Sequence, residues 1–394
     1  LSWVPSSTWD LGNAFSYLKL RGSIASVGLP FPRFLTTPTY EYDATGKIWK
    51  DKTHYPIGDL KPERTITYEV GIDARLWKNI SLSASWYSAD TKNQTFDPAL
   101  PPSSSYTTIY LQTGHVRNTG VELSLGYSNQ WRDFGWSSNF TFSWNKNEIV
   151  DLASGALNPV TGQPLNLSEL DIKGLGKAKY ILKQGGTLGD LYTTSDLKFN
   201  DNGYVEVDKA GNLLLTDEGE QIYLGSVFPS ENLAWRNDFR YKGINLGLLF
   251  TGRIGGICYS ATQANMDLYG VSEVSAAARD AGGVLINGRE MVDAQKWYQA
   301  IGSQSGLPQY YTYSATNFRL QELSLGYTLP SRSLRKAGIS QMRVYVSADN
   351  IWTLTGYSGP DPEVSTRNSV LTPGFDWSAY PRAFGFTAGV NLTF

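Results

Sequence analysis

Side chains that could do chemistry are few in this sequence of 394 residues. Histidine occurs only as His54 and His115, and cysteine only as Cys258. Ser333 and Lys336 have the S-x-x-K spacing of a nucleophile and its base, but the partner motifs of such enzymes are missing. A lone cysteine allows no intrachain disulfide and no thiolate metal cluster, so we expect a buried strand residue. The sequence therefore predicts no catalytic residue and argues against an enzyme.

Two acidic segments could bind a cation. Residues 201–220 are rich in hard oxygens but lack the D-x-[DN]-x-[DN]-G spacing, which favours a polar hairpin and keeps calcium as the alternative. Asp361 and Glu363 flank Pro362 and could bind a cation, a basic partner surface or sugar hydroxyls. The simpler interpretation is a turn fixed by Pro362, with solvated charges. The oxygen-bearing side chains of the first segment are Asp201, Asn202, Asp208, Asp217, Glu218 and Glu220. We therefore predict no metal site and no cofactor.

Aromatic residues are the most abundant groups that could bind a ligand, since they make up 13% of the chain, with 24 Tyr and 12 Trp. Flat rings stack on the apolar faces of sugars, which favours glycans. Peptides stay open, because the same rings bind apolar side chains and Tyr hydroxyls bind backbone amides. The candidates lie in long predicted connections and are Trp49, Tyr55, Trp297, Tyr298, Tyr310, Tyr311, Tyr357 and Trp377.

Strict alternation of apolar and polar residues is the main structural signal, while helical periodicity is nearly absent. Ile72 and Ala74, for example, alternate with Asp73 and Arg75. The repeated segments have about ten to fourteen residues, the length with which a tilted strand crosses a bilayer, and no apolar run of about eighteen residues offers a membrane helix. Alternation predicts about ten strands, near 17–27, 64–77, 80–93, 116–130, 135–148, 232–242, 244–256, 316–329, 341–353 and 383–394.

Composition and connection lengths support an all-β antiparallel transmembrane barrel. A mean hydropathy of -0.29 fits strands with one wet and one lipid-facing side, and a net charge of -2 points to no nucleic-acid partner. Short and long connections alternate, as in outer-membrane barrels, and a further hairpin near 178–199 would preserve this alternation. A soluble β-sandwich or β-helix is the alternative. It is disfavoured because aromatic residues gather near strand ends, where amphipathic rings prefer the headgroup level.

Six stretches, in order along nearly the whole chain, resemble the SusC/RagA family of TonB-dependent outer-membrane transporters. No single motif carries the resemblance. The stretches are YLKLRGSIASVG at 17–28, LKPERTITYEVGIDARLW at 60–77, VRNTGVELSLGYS at 116–128, FRLQELSLGYTLP at 318–330, VYVSADNIWTLTGYSGPDPEV at 344–364 and YPRAFGFTAGVNLTF at 380–394.

The resemblance implies a plugged barrel of about 22 strands, of which residues 1–394 would be the C-terminal part with about ten to twelve strands. The plug domain and the N-terminal strands are not found in this sequence. Because the first residues, LSWVPSSTWD, lack the features of a signal peptide, we expect the numbering to start inside a longer precursor, or the barrel to be built from more than one chain. The last residue, Phe394, would then be the signal read by the barrel-assembly machinery.

The implied function is nutrient import across the outer membrane of a Gram-negative bacterium. Expected partners are a SusD-like surface lipoprotein, the TonB energy-coupling complex acting through the missing plug, the remaining half of the barrel, and the lipid and lipopolysaccharide of the membrane. Glycan oligomers are the favoured substrate and peptides the alternative. A passive porin or a structural barrel would use similar strands and stays open.

Overall fold

The structure is a computed structural model of the chain. It describes residues 1–394 except 13, 32–39, 52–53, 56–60, 97–107, 110, 153–162, 164–166, 217–218, 331–333, 335–337, 364 and 366–372. Among the described residues, no helix has the length and apolar character needed to cross a membrane.

The chain is built mainly from β-strands. In chain order they are β1 (Ser2–Trp3), β2 (Phe15–Leu29), β3 (Tyr40–Asp43), β4 (Ile48–Asp51), β5 (His54–Tyr55), β6 (Glu63–Leu76), β7 (Ile80–Phe96), β8 (Thr108–Ile109), β9 (Leu111–Trp131), β10 (Phe134–Asp151), β11 (Glu169–Leu175), β12 (Ala178–Lys183), β13 (Asp190–Thr193), β14 (Asp196–Leu197), β15 (Leu215–Thr216), β16 (Ile222–Ser226), β17 (Glu231–Tyr241), β18 (Ile244–Ile254), β19 (Ile257–Ser260), β20 (Val284–Ile286), β21 (Glu290–Val292), β22 (Thr312–Ser314), β23 (Asn317–Thr328), β24 (Gln341–Thr355), β25 (Phe375–Asp376) and β26 (Gly385–Thr393).

Three short helices lie between β19 and β22: α1 (Ala261–Leu268), α2 (Glu273–Asp280) and α3 (Ala294–Ile301). Each begins at a side-chain cap, because Ser260, Ser272 and Asp293 accept hydrogen bonds from backbone amides of the first turn. Short 3₁₀ segments occur at Pro5–Ser7 and Pro308–Tyr311. The helices were not predicted, because eight residues are too few to show a clear helical period.

Eleven strands form one antiparallel sheet, which we call the main sheet, in the order β1-β2-β6-β7-β9-β10-β17-β18-β23-β24-β26. Each strand of this sheet pairs with the strand of the sheet that comes next in the chain, so the sheet is an up-and-down meander. All ten strands predicted from alternation are present in it, and β1 adds a short eleventh. Within the described residues, neither β1 nor β26 pairs with a strand on its outer side.

The main sheet has one apolar face and one polar face. Ile72 lies between Leu20 and Ala84 on the apolar face, whereas Asp73 lies between Lys19 and Ser83 on the polar face. The apolar face is open to its surroundings: Val70 is 56% exposed. On the polar face Arg21 is ion-paired with Glu69, and Ser83 donates a hydrogen bond of 2.7 Å to Asp73. The register of the strands therefore places apolar residues beside apolar residues, and polar residues beside polar residues, on neighbouring strands.

The ends of the main sheet differ. Turns at 77–79, 132–133 and 242–243, with the connection 329–340, lie at one end, which we call the short-turn end. All long connections leave from the opposite end, the long-connection end. This asymmetry confirms the predicted alternation of connection lengths.

Aromatic residues on the apolar face form two belts. Near the short-turn end the rings of Trp136 and Phe239 stack with centroids 6.1 Å apart, and Tyr127 packs on Trp136 at 5.0 Å. Towards the other end, Trp86 and Trp144 lie in one cross-strand row. Eight residues separate Trp136 from Trp144, which is about 26 Å along a strand. A strand tilted by about 40° rises roughly 20 Å over that length, which is comparable with the roughly 25 Å apolar band of a membrane barrel.

Two long connections and a third segment fold together at the long-connection end. We call residues 169–230, 257–314 and 373–376 the loop domain. It contains a four-stranded sheet in the order β11-β12-β13-β16 and a three-stranded sheet in the order β22-β19-β25. The hairpin expected near 178–199 exists as β12 and β13, but it belongs to the loop domain and adds no strand to the main sheet.

Candidate functional site

The loop domain has a well-packed aromatic core. Tyr259 and Phe375 are fully buried, and their rings meet edge to face with centroids 5.9 Å apart. Tyr180 packs on the other side of Phe375 at 5.6 Å and donates its hydroxyl to the carbonyl of Pro373. Cys258 is buried in β19, as predicted, and burial raises the pKa of its thiol to about 12. It is therefore a packing residue without thiolate reactivity.

A buried carboxylate ties the last connection to this core. Asp376 has no exposed surface and accepts hydrogen bonds from Ser260 Oγ at 3.0 Å and Thr262 Oγ1 at 2.9 Å. The Tyr357 hydroxyl donates to the same carboxylate at 2.5 Å. Because a buried charge needs such donors, these bonds hold β25 against β19 and the start of α1.

An ionic cluster lies where this connection meets the polar face of the main sheet. Arg319, on β23, binds Asp361 in a bidentate pair of 2.6 and 3.1 Å. Glu363 lies 3.3 Å from Arg319 Nε, and Arg382 reaches Asp361 at 2.9 Å and Glu363 at 3.0 Å. Arg253 completes the cluster 3.5 Å from Glu363. We call these five residues the Arg319 cluster.

The Arg319 cluster corrects the expectation of a turn with solvated charges at 361–363. Only 2% of the Asp361 side chain is exposed. Burial acts to raise the pKa of Asp361, but hydrogen bonds from Arg319 and the backbone of Glu363, with the charges of Arg319 and Arg382, outweigh it and lower the pKa. Asp361 and Glu363 therefore bind arginines of their own chain, and they anchor the connection between β24 and β26 to the main sheet.

The predicted ligand-binding aromatic residues differ in their exposure to solvent. Trp49, Tyr310 and Trp377 are exposed, and Trp297 and Tyr298 are half-buried. Trp297 and Tyr310 meet edge to face with centroids 6.0 Å apart. Among the described residues, this is the one ring-to-ring contact between two of these candidates.

Two of the predicted binding residues belong to the core instead. Tyr311 is 2% exposed and Tyr357 is 5% exposed. Burial raises the pKa of both phenols, and Tyr357 uses its hydroxyl for Asp376. Neither side chain lies on the exposed surface that the sequence led us to expect, because aromatic rings in a loop that folds on itself are needed first for its core. The Tyr55 side chain lies outside the described residues.

The described part of the acidic segment at 201–220 contains tight turns. Asp208 accepts hydrogen bonds from the backbone amides of Ala210 and Asn212 at 2.8 Å each, and from Asn212 Nδ2 at 2.8 Å. These bonds use both carboxylate oxygens within the turn. Asp217 and Glu218 lie outside the described residues, as do Ser333 and Lys336. Among the residues that the structure describes, no group of three His, Cys, Asp or Glu side chains could hold a metal ion.

Sequence reasoning missed an aromatic pair on the four-stranded sheet. Tyr192 and Tyr223 lie opposite each other in β13 and β16, with ring centroids 5.2 Å apart. A signal was available, since each tyrosine follows a β-forming apolar residue, in L-Y-T at 191–193 and in I-Y-L at 222–224. Because alternation predicts a long connection between the strands near 135–148 and 232–242, it does not bring these two tyrosines together.

The sequence is similar to known receptors of bacterial outer membranes. The family described as "TonB dependent receptor-like, beta-barrel" matches residues 3–226. The chain belongs to this family. "TonB-dependent receptor P3" of Formosa agariphila is 28% identical over 360 residues, which cover 87% of this chain and 35% of that protein. "TonB-dependent receptor SusC" of Bacteroides thetaiotaomicron is 22% identical and covers 100% of this chain and 37% of that protein.

Solved structures show the same fold. "Structure of the RagAB peptide transporter" matches with a TM-score of 0.72 and 21% identity, covering 100% of this chain and 43% of that chain. Its "closed-closed" state matches with a TM-score of 0.73 and 20% identity. The present chain thus spans less than half of the solved chains, and little more than a third of the curated relatives. Its main sheet is part of a SusC-like TonB-dependent receptor barrel, as the resemblance implied.

Proposed function

We propose that this chain is the C-terminal part of a TonB-dependent importer in the outer membrane of a Gram-negative bacterium. The main support for the proposal is the main sheet of this member of the family, which has two different faces. Its apolar face is exposed, and its polar face holds ion pairs and serine hydroxyls. In a closed barrel the first would meet lipid and the second would line the lumen. Its relatives are receptors and transporters, and binding and gating are the chemistry proposed here.

The remaining parts of the importer would come from outside this chain. About eleven further strands and a plug are needed for a plugged barrel of about 22 strands. The likeness to SusC and to the RagAB structures supports a SusD-like lipoprotein over the long-connection end. The TonB complex would act on the plug from the opposite side of the membrane. Substrate would be captured between the loops and the lipoprotein, and released when the plug moves.

Glycan oligomers are the proposed substrate. The exposed rings Trp49, Tyr310 and Trp377, and the pair formed by Trp297 and Tyr310, offer flat surfaces for sugar rings. Peptides are the second candidate, favoured by the fold likeness to a peptide transporter. A passive porin is less favoured, because receptors of this family are energised through TonB.

The experiment is uptake by cells that carry the full-length protein, with and without a functional TonB complex. We expect uptake of oligosaccharides that are too large for general porins, and loss of uptake without TonB. The double substitution of Trp297 and Tyr310 by Ala should lower uptake at unchanged membrane abundance, since each ordered aromatic contact contributes about 0.5 to 1.5 kcal/mol. TonB-independent uptake would instead identify a porin, and uptake of oligopeptides alone would identify the second candidate.

A further inference from the structure

The outer face of the four-stranded sheet carries an exposed aromatic ring on a rigid base. Leu182 and Leu191 are buried on the inner face of this sheet, in the core of the loop domain. Tyr192 and Tyr223 project from the opposite face, and Tyr223 is 55% exposed. A tyrosine so exposed on a sheet surface offers one ring face to a ligand. The sheet lies in the loop domain, beyond the membrane strands.

Both rings are held in place by the surrounding side chains. The Tyr223 hydroxyl donates to Asp190 Oδ1 at 3.3 Å, and Asp190 is itself buried and fixed by the amide and hydroxyl of Thr187. Burial, followed by the charge of Asp190, raises the pKa of Tyr223 to about 12, so the hydroxyl stays a donor. Lys183 Nζ lies 4.6 Å from the centre of the Tyr192 ring. A ring fixed before binding loses little conformational entropy when a ligand arrives.

Polar side chains surround this aromatic pair. Gln221 Nε2 donates to both oxygens of Glu169, at 3.0 and 3.2 Å, and Lys183 Nζ lies 3.7 Å from the same carboxylate. The three groups are half-exposed or exposed and together supply a carboxylate acceptor, an amide and an ammonium donor. Their charges cancel, which disfavours a strongly anionic or cationic ligand. Their donors and acceptors suit vicinal hydroxyl groups.

We propose that Tyr223, with Tyr192 beside it and Glu169, Lys183 and Gln221 around it, binds a pyranose ring of a neutral glycan. The apolar C–H face of the sugar packs on the Tyr223 ring, and its hydroxyls bind the carboxylate and the amide. This inference rests on the proposed glycan import and adds a capture site on the loop domain. Asp190 acts as a positioning residue, because it fixes the Tyr223 ring and does not contact the sugar.

The test uses full-length protein in detergent and a panel of neutral hexasaccharides built from glucose, mannose, galactose or xylose. Binding is measured by calorimetry. For a hexasaccharide bound by the wild type, Tyr223→Ala should raise the Kd about tenfold, equivalent to about 1.4 kcal/mol. Tyr223→Phe keeps the ring face but loses the hydrogen bond to Asp190, so its Kd should lie between those of the wild type and Tyr223→Ala. Glu169→Ala removes the hydroxyl acceptor and should weaken binding about fivefold.

Tyr269→Ala is the matched control, because Tyr269 is also an exposed tyrosine of the loop domain, at 77%, and lies outside this cluster. It should leave the Kd unchanged. Heat-modifiable migration of every variant confirms that the barrel is folded. If the wild type and folded Tyr223→Ala bind a hexasaccharide with the same Kd, the proposed capture site is wrong, and the proposed glycan import is unaffected. A wild type that binds oligopeptides and no member of the panel overturns both.

Discussion

At the scale of single residues, the Arg319 cluster determines how one loop is fixed to the barrel. Arg319→Met removes the bidentate partner of Asp361 and leaves that carboxylate buried. Breaking a buried ion pair from one side costs about 3 to 5 kcal/mol. We therefore expect local opening of the chain around residues 356–363, measured as faster amide hydrogen exchange there, while the barrel strands stay protected.

The control for this prediction is Lys146→Met, since Lys146 and Glu148 form an exposed pair at 3.0 Å. Such pairs contribute about 0 to 1 kcal/mol, so exchange should not change. Equal protection of residues 356–363 in both variants would show that the cluster does not hold the loop.

The Arg319 cluster also depends on pH. Because folding lowers the pKa of Asp361, the stabilisation by the cluster is complete above the ordinary aspartate pKa of about 3.9 and weakens as the pH falls below it.

Phe394 allows a second prediction for one residue. It follows β26 at the short-turn end and is 82% exposed, and Phe384, just before β26, is 61% exposed. If Phe394 only contributed to interfacial burial, its loss would cost roughly 1.5 to 3 kcal/mol and a large barrel would still assemble. We propose a signal role. Deleting Phe394 in the full-length protein should therefore deplete the membrane fraction while precursor accumulates, and Phe384→Ala should do much less. Near-normal abundance of both variants would reject the signal role.

At the scale of elements, close approach of strands requires glycine at particular points of the polar face. Gly120 lies opposite Tyr87, and a Cβ there would come within 2.5 Å of the tyrosine ring and 2.7 Å of the Trp144 carbonyl. The backbone of β10 cannot withdraw without breaking the ladder. Gly120→Ala should therefore destabilise the barrel by about 1 to 3 kcal/mol, the usual cost of overpacking.

Gly22→Ala is the matched control within the same sheet, because its nearest contact would be the Glu69 carbonyl at an ordinary 3.7 Å. The temperature at which the full-length barrel loses its heat-modifiable form measures both variants. We expect a clearly lower temperature for Gly120→Ala and little change for Gly22→Ala. Similar temperatures would mean that Tyr87 and the neighbouring strand adapt at no cost.

The elements also show what sequence could and could not predict. Strands such as β6 were found because Ile72 and Asp73 alternate on a surface with lipid on one side and water on the other. The loop domain has no such two-sided environment, so its short strands and helices carry weak periodicity. The capping residues Ser260, Ser272 and Asp293 were visible signals for α1 to α3. Burial of Tyr311 and Tyr357 could not be predicted, because it depends on contacts between segments distant in sequence.

At the scale of the whole molecule, the main sheet has unpaired backbone groups at both edges in the part of the chain that the structure describes. Lipid offers no hydrogen bonds, so an open edge is costly inside a bilayer, and in water it templates aggregation. Residues 1–394 expressed alone should therefore give no monomeric, heat-modifiable species in vesicles, whereas the full-length protein should. The comparison is made by gel migration with and without heating, and by protease protection of the inserted strands. A closed, inserted barrel formed by residues 1–394 would show that eleven strands suffice to satisfy both edges, and would remove the need for the further strands that the proposed importer requires.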